Sequence, residues 1–427
     1  VDLKDVLAGL GLAESEDALT PDWDASQAAI PSGSFFFLEP AYVTTACERT
    51  FLPGDVAKAV LAAAARIAAE PALSALAWHF HYCLFRTQGY PDASVGRWPH
   101  LKGPLGSEAG LFYVVVLLSG LPGMQAVYRA RGIPAEIFRN TLEQMRSVIT
   151  QEYPASHGHL GLSAANVRWQ TNHFRGNLFT LGRLQFQFGT WGGYQKARVY
   201  RHRTARTVVA LADGGVRFRA DGDRAGAAAV EDGPGVWSSE FSVCGGEIRG
   251  HPIDPVGRAL PTRIRLPIVE WQQVVGPREP VLNIHIPGGG APLAHDRCGE
   301  STRAALEFFP RHFPDRPFVT ICCGSWLLDG QIEDLLPATS NMVRFQREFY
   351  LIPIGLDGQG LLRSVFGDPP PQDLMALPRD TALRRAIADF VSAGKRLTPR
   401  AGGCFLLPED LDWGAEVYRR QKMPWAS

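Results

Sequence analysis

The apolar positions of this chain change period along its length, and the change divides it. VAKAVLAAAARIAAEPAL (56–73) keeps a helical spacing behind Pro53-Gly54-Asp55, whose turn residues start a helix. ALAWHFHYCLFRTQG continues in the same style, and after prolines at 91, 99 and 104 comes GLFYVVVLLSGL (110–121). That run is too short to span a bilayer and predicts a buried helix. Pro122-Gly123 breaks it and MQAVYRARG begins another. Ile133-Pro134 then opens AEIFRNTLEQMRSVIT, with proline at a helix start, where its missing N–H costs nothing. Residues 1–155 thus predict a helical N-terminal domain.

After about residue 160 the period shortens. LFTLGRLQFQFG alternates Leu184, Phe186 and Phe188 against Gln185 and Gln187, the signature of a half-buried strand. ARVYRHR, RTVVALADGG and TRIRLPIVEW are strand-like too, and ADGGVRFRADGDRAGAAAVEDGPG predicts a mobile loop or hairpin. The most informative stretch is Val281 to Ile354. It holds the apolar strand VLNIHIP, a Pro-Gly-Gly-Gly break, a helix, the buried strand FVTICCGSWLL, another helix and a third strand. Such layering places ligands where strands end, and glycines ahead of a helix suit an anionic or extended ligand. Residues 156–365 predict this mixed α/β domain. Residues 366–427, with a triple proline, the helix DTALRRAIADFVSAG and a turn region, predict a C-terminal helical extension.

Composition narrows the function classes. Across 427 residues, 45% hydrophobic and 20% charged content is that of a globular protein. Lys plus Arg and Asp plus Glu number 43 each, so no global field recruits nucleic acid or an anionic membrane. The N-terminal VDLKDVLAGLGLAESEDAL lacks a signal peptide's layout, and seven cysteines without a CxxC predict reduced thiols in a cytoplasmic protein.

"RGIPAEIFRNTLEQM" ahead of "FTLGRLQFQ", followed by "LNIHIP", "STRAALEFFPRHFP", "SWLLDGQIEDLLP" and "SNMVRFQREF", resembles the two-part GNAT-like acyltransferases of bacteria. The resemblance covers roughly residues 60–360. It implies an α+β fold, a helical N-terminal domain joined to a GNAT-like domain with a mixed, splayed sheet. VLNIHIP would be the central strand that splays from FVTICCGSWLL, with the pantetheine arm of acyl-CoA in the resulting V. The activity it implies is transfer of an acyl group from a thioester donor, acyl-CoA, to the amine of a small molecule. The pyrophosphate signature Gln/Arg-x-x-Gly-x-Gly/Ala is replaced here by Gly288-Gly289-Gly290.

Particular side chains can carry that chemistry. His285 shares a strand face with Asn283 and, with an ordinary imidazole, would deprotonate the ammonium near neutral pH. Gly288, Gly289 and Gly290 would offer N–H groups to phosphates, and Ser301 would join them from a helix start. Ser325 would protonate the leaving thiolate, as a Ser or Tyr does in the family, while Asn341, beside the cap residue Ser340, or Tyr350 would point into the cleft. Arg183 and Gln185, two apart on one strand face, either face solvent or recognise the acceptor, where Trp326 would join them. Two other classes stay open: a hydrolase with Cys323 or Ser325 as nucleophile, and a non-catalytic binding module. HxH pairs at 79/81 and 157/159 have no third ligand at a metal-binding spacing, so no metal is expected. The sequence does not give the oligomeric state.

Overall fold

The computed structural model describes residues 1–87, 89, 92–226, 232–288, 292–355, 360–367, 369, 371–395, 397 and 402–425. It divides into two compact units, Val1–Leu181 and Gly182–Ser427. The first is helical up to its last strand, Leu178–Leu181, and includes the helix Ala164–Phe174. The shift to strand periodicity thus completes beyond that helix.

Four helices of the first unit follow from local chemistry. The alanine-rich run forms α1 (Gly54–Ala69), which buries Val56, Val60, Ala63, Ala64 and Ile67. It ends at Glu70 because Pro71 cannot continue it; proline instead takes the first turn of α2 (Pro71–Phe85), bent 111° from α1. The apolar run forms α3 (Ala109–Leu118), and all ten of its residues are buried. With its neighbours it makes a helical stretch, Lys102–Ala130, long and apolar enough to cross a membrane by composition, yet 72% of its most apolar window is buried in the fold. Helix α4 (Ala164–Phe174) starts in a reciprocal capping box between Ser163 and Asn166.

His79 and His81 on α2 diverge, as their spacing on a helix requires. His79 Nδ1 lies 3.0 Å from Ser26 Oγ, and His81 Nδ1 lies 2.7 Å from Ser119 Oγ.

The second unit is built on five neighbouring strands of the main sheet: β1 (Leu184–Thr190), β2 (Pro280–His285), β3 (Thr320–Ser325), β4 (Tyr350–Pro353) and β5 (Gly402–Leu406), in spatial order β1-β2-β3-β5-β4. Only the β2–β3 pair is parallel. Strand β5 corrects the sequence expectation, which left residues 402–406 in a terminal turn region. Its brevity and leading glycines hid it, and both are needed: a Cβ on Gly402 would sit 1.7 Å from the Leu328 carbonyl oxygen. Between β1 and β2 an all-β insertion contributes a four-stranded sheet containing Ala197–His202 and Val208–Ala212, plus a three-stranded sheet. In the expected loop or hairpin, Arg217–Phe218 pairs with Trp237–Ser238, and residues 227–231 lie outside the described residues. One face of the main sheet is covered by α5 (His295–His312); its Phe309 ring and that of Phe313, just beyond its end, meet Phe188 edge-on at 4.9 and 5.2 Å. Helix α6 (Asn341–Arg347) leads into β4.

Burial pushes His79 and His81 down from 6.5 to about 4. A depressed folded value means that the unfolded chain binds the extra protons, so these groups stabilise fully above pH 6.5 and less as pH falls towards 4. We expect the melting temperature to fall across that window, with each fully differential proton contributing about 1.4 kcal/mol per pH unit. Thermal melts from pH 7 to pH 4.5 check it, and an unchanged melting temperature would contradict neutral burial.

Candidate active site

The parallel pairing of β2 with β3 runs through Val281–Thr320, Leu282–Ile321 and Asn283–Cys322, and there it stops. Each strand then keeps only its outer partner. β2 stays with β1 as far as His285–Gln185, and β3 stays with β5 as far as Ser325–Gly402. The sheet opens into a V. Backbone groups along a strand alternate in direction, and the Pro280 carbonyl accepts from Val319 N–H at 2.9 Å. That phase turns the Ile284 carbonyl toward the opening from the β2 wall.

A cavity of about 570 Å³ fills the opening. Ile284, Ile286 and Leu293 line it beside β2, and Leu327, Trp326 and Met342 beside β3. Arg183, His285, Gly288, Gly324 and Ser325 supply its polar and small positions. An apolar slot with a few convergent polar groups is the ordinary form of a small-molecule site.

Of the expected site residues, His285 faces this cavity, and its Nε2 lies 2.9 Å from Gln187 Oε1. An amide oxygen only accepts, so Nε2 carries the proton and Nδ1 is the basic atom. Burial lowers this imidazole to about 4, not the ordinary value assumed from sequence. Asn283, on the same face, accepts from Cys322 Sγ–H at 3.0 Å. Gln185 pairs in register with His285 but is fully buried, so the polar face of β1 is not a solvated one.

Arg183 lines the cavity and donates through Nη2 to the Pro287 carbonyl at 3.2 Å, bracing the chain that leaves β2. Ser325 ends β3, and its Oγ accepts from Leu327 N–H at 3.2 Å, turning the chain into a short 3₁₀ helix that begins at Trp326. Gly288 lines the cavity, while Gly289 and Gly290 lie outside the described residues.

Two expected residues stand elsewhere. Helix α5 begins at His295, so Ser301 is not at its start but buried within it. Ser301 Oγ donates to the Arg297 carbonyl and accepts from Arg183 N–H at 2.8 Å. Asn341 is exposed at the first position of α6, capped by Ser340, and does not line the cavity.

Sequence reasoning missed a buried group at the α5 N-terminus. His295 Nε2 donates to Glu348 Oε1 at 2.7 Å, and Arg344 Nη2 donates to His295 Nδ1 at 2.9 Å. A His-Asp dipeptide at 295–296 gave no signal, because its partners come from α6 and beyond. It missed Tyr194 as well, whose ring lies 2.9 Å from where a Cβ on Gly324 would be.

Residues 178–404 match the GNAT-like C-terminal domain, and residues 41–176 match the N-acyltransferase N-terminal domain. The chain belongs to the two-domain GNAT-like N-acyltransferases. The fold of this acyltransferase is similar to that of a solved mutant of the acyltransferase orf11* in complex with octanoyl-CoA, with TM-score 0.62 and 23% identity over 96% of this chain and 100% of that one. An acyltransferase in complex with decanoyl-CoA and teicoplanin gives TM-score 0.62 at 23% identity, covering 95% of this chain and 99% of that one. A complex with CoA and 10C-teicoplanin gives 0.60 at 24%, covering 94% and 99%. No curated protein sequence matches the chain significantly.

Cys323 also lines the cavity, and burial pushes its thiol up to about 12. The thiolate is the nucleophilic form, so this environment opposes covalent catalysis at Cys323. At neutral pH we expect iodoacetamide to label exposed Cys244 and leave Cys323 unmodified in the folded protein, as read by peptide mass mapping. Rapid labelling of Cys323 would revive the hydrolase alternative.

Proposed function

We propose that this N-acyltransferase takes its acyl group from acyl-CoA and passes it to the amine of a small-molecule acceptor. One observation carries this: β2 and β3 part after Asn283 and Cys322 around a cavity with both apolar and polar walls, and past the split their backbone groups no longer pair with each other. A pantetheine arm carries amides that pair with such groups as an added strand would. The apolar wall at Trp326, Leu327 and Met342 suits an aliphatic acyl chain, and the similar structures that hold octanoyl-CoA and decanoyl-CoA support this donor class. Arg183 and Gly288, beside the chain leaving β2, stand where donor phosphates would lie.

In this reading the acceptor loses its ammonium proton to solvent, enters the V beside His285 as the free amine and attacks the thioester carbonyl. The C–N bond forms as the carbonyl π electrons move onto oxygen, and the intermediate then expels the CoA thiolate. Backbone N–H groups near the split hold the oxyanion. The nitrogen's proton leaves through His285 Nδ1 or a water it orients, and Ser325 stands at the opposite wall to protonate sulfur. An imidazole lowered to about 4 is a weak base, so it serves chiefly to accept a hydrogen bond and relay the proton once attack has made the nitrogen acidic.

Octanoyl-CoA should raise the melting temperature, by the equivalent of about 2.7 kcal/mol at a hundredfold excess over Kd. No shift at millimolar octanoyl-CoA or CoA would point to another donor. His285→Ala should lower turnover roughly 10²-fold with donor affinity kept. The limb of the pH–rate profile that reports His285 should lie near pH 4, separate from the limb that the acceptor's own ammonium sets at higher pH. A stable His285→Ala protein with near wild-type turnover would remove His285 from the mechanism, and a wild-type limb centred at 6.5 would contradict its burial.

A further inference from the structure

A second cavity of about 490 Å³ lies in the all-β insertion, lined by Lys196, Asp213, Arg217 and Arg224 around the turn Gly214-Gly215. Its charges are unbalanced. Asp213, the carboxylate on the wall, is engaged by Arg198 Nε at 3.0 Å. Arg217 has a carboxylate, Asp232, only at 4.0 Å, and Lys196 is exposed.

Arg224 is the telling residue. Its Nε and Nη1 are buried atoms with no hydrogen-bond partner. The neighbouring Asp223 accepts from Arg224's own backbone N–H at 2.8 Å, and the guanidinium stands 6.0 Å from the Phe218 ring centre. Burial lowers its pKa, the direction expected for a cation removed from water without full compensation. A half-buried guanidinium with idle donors costs stability, and such costs concentrate at binding sites.

Its position ties it to the catalytic V. Arg224 Nη2 lies 3.4 Å from where a Cβ on Gly355 would be, and the preceding Ile354 reaches to 3.2 Å of the equivalent point on Gly324. Gly324 lines the active-site cavity. A second route runs from the Tyr194 ring, packed on Gly324, two residues along to Lys196. Gly355 follows β4, at the edge of the sheet beyond β3 and β5. The loop at Gly288, where donor phosphates would lie, follows β2 on the other wall. The cationic pocket therefore belongs to the acceptor side.

We propose that Arg224, with Lys196 and Arg217 around it, binds an anionic group of the acceptor, a carboxylate, some distance from the amine that is acylated. This rests on the acyl-transfer reading above and adds the acceptor's chemical class. A guanidinium presents two parallel N–H donors that match a carboxylate's two oxygens, which explains why an arginine holds the buried position and a lysine the exposed one.

The test uses octanoyl-CoA with a series of ω-amino carboxylic acids and their primary amides, monitored by thiol release. The acids should exceed the matching amides by roughly tenfold in kcat/KM at the best chain length, the scale of one charge-assisted hydrogen-bond pair. In Arg224→Gln the ratio should fall to about one through KM, while Arg224→Lys should keep part of it. Calorimetric titration with inorganic phosphate gives a readout independent of turnover: heat with wild type, none with Arg224→Gln of unchanged melting temperature. Equal use of acids and amides by wild type would overturn the proposal. So would weaker octanoyl-CoA binding in Arg224→Gln, since that would assign the anion to the donor. If no amine is acylated, the acyl-transfer reading fails by itself, and the phosphate titration still decides whether Arg224 holds an anion.

Discussion

Two strands that begin as a parallel pair and then part set the geometry of the catalytic unit. Buried backbone groups need partners, so a sheet that opens in its interior is held open or it closes. Here each wall is braced from its own side. Arg183 donates to the Pro287 carbonyl where β2 runs out, and the turn carrying Arg183 is itself fixed by Ser301 of α5. On the other wall, Gln346 Nε2 donates to the carbonyls of Leu327 and Asp329, at 2.6 and 3.0 Å, and fixes the turn that draws β3 away. Tyr194 and Ile354 crowd Gly324 on one face, so any side chain there would push the wall. The groups left facing the opening are ready to pair with a ligand.

Much of this was legible in the sequence because it rests on local pattern. The helical run at α1, the buried α3, the alternation of β1 and the apolar strands β2 and β3 follow from period and length. The place of the split follows from the resemblance of VLNIHIP and its neighbours to a known family. The features that could not be read depend on distant partners. The Gln187 amide that fixes the His285 tautomer sits on another strand, and the imidazole's low pKa comes from three-dimensional burial. Ser301 reads as the start of a helix because Glu300-Ser301 is ordinary N-terminal helix chemistry. The helix instead begins at His295, and Gly299 within it leaves the space that the Trp413 ring fills.

That tryptophan shows why the end of the chain belongs to the catalytic unit. β5 enters last in sequence and yet lies between β3 and β4, so the wall of the V carrying Ser325 is unfinished until residues 402–406 arrive. The segment after β5 then fastens the surrounding elements. Asp410 takes Arg201 of the insertion at 2.6 Å and the Tyr418 hydroxyl at 3.0 Å, with the arginine side chain only 5% exposed. Trp413 Nε1 donates to the His295 carbonyl at 3.0 Å, and Gly414 N–H donates to Glu348, the partner of His295, at 2.9 Å. Removing one partner of a buried ion pair costs more than the pair contributes, because the other charge is stranded. Loss of the terminal segment would therefore leave Arg201 buried without its carboxylate and the start of α5 without its anchor. The start of α5 and the all-β insertion, far apart in sequence, are held in register by the same last stretch of chain.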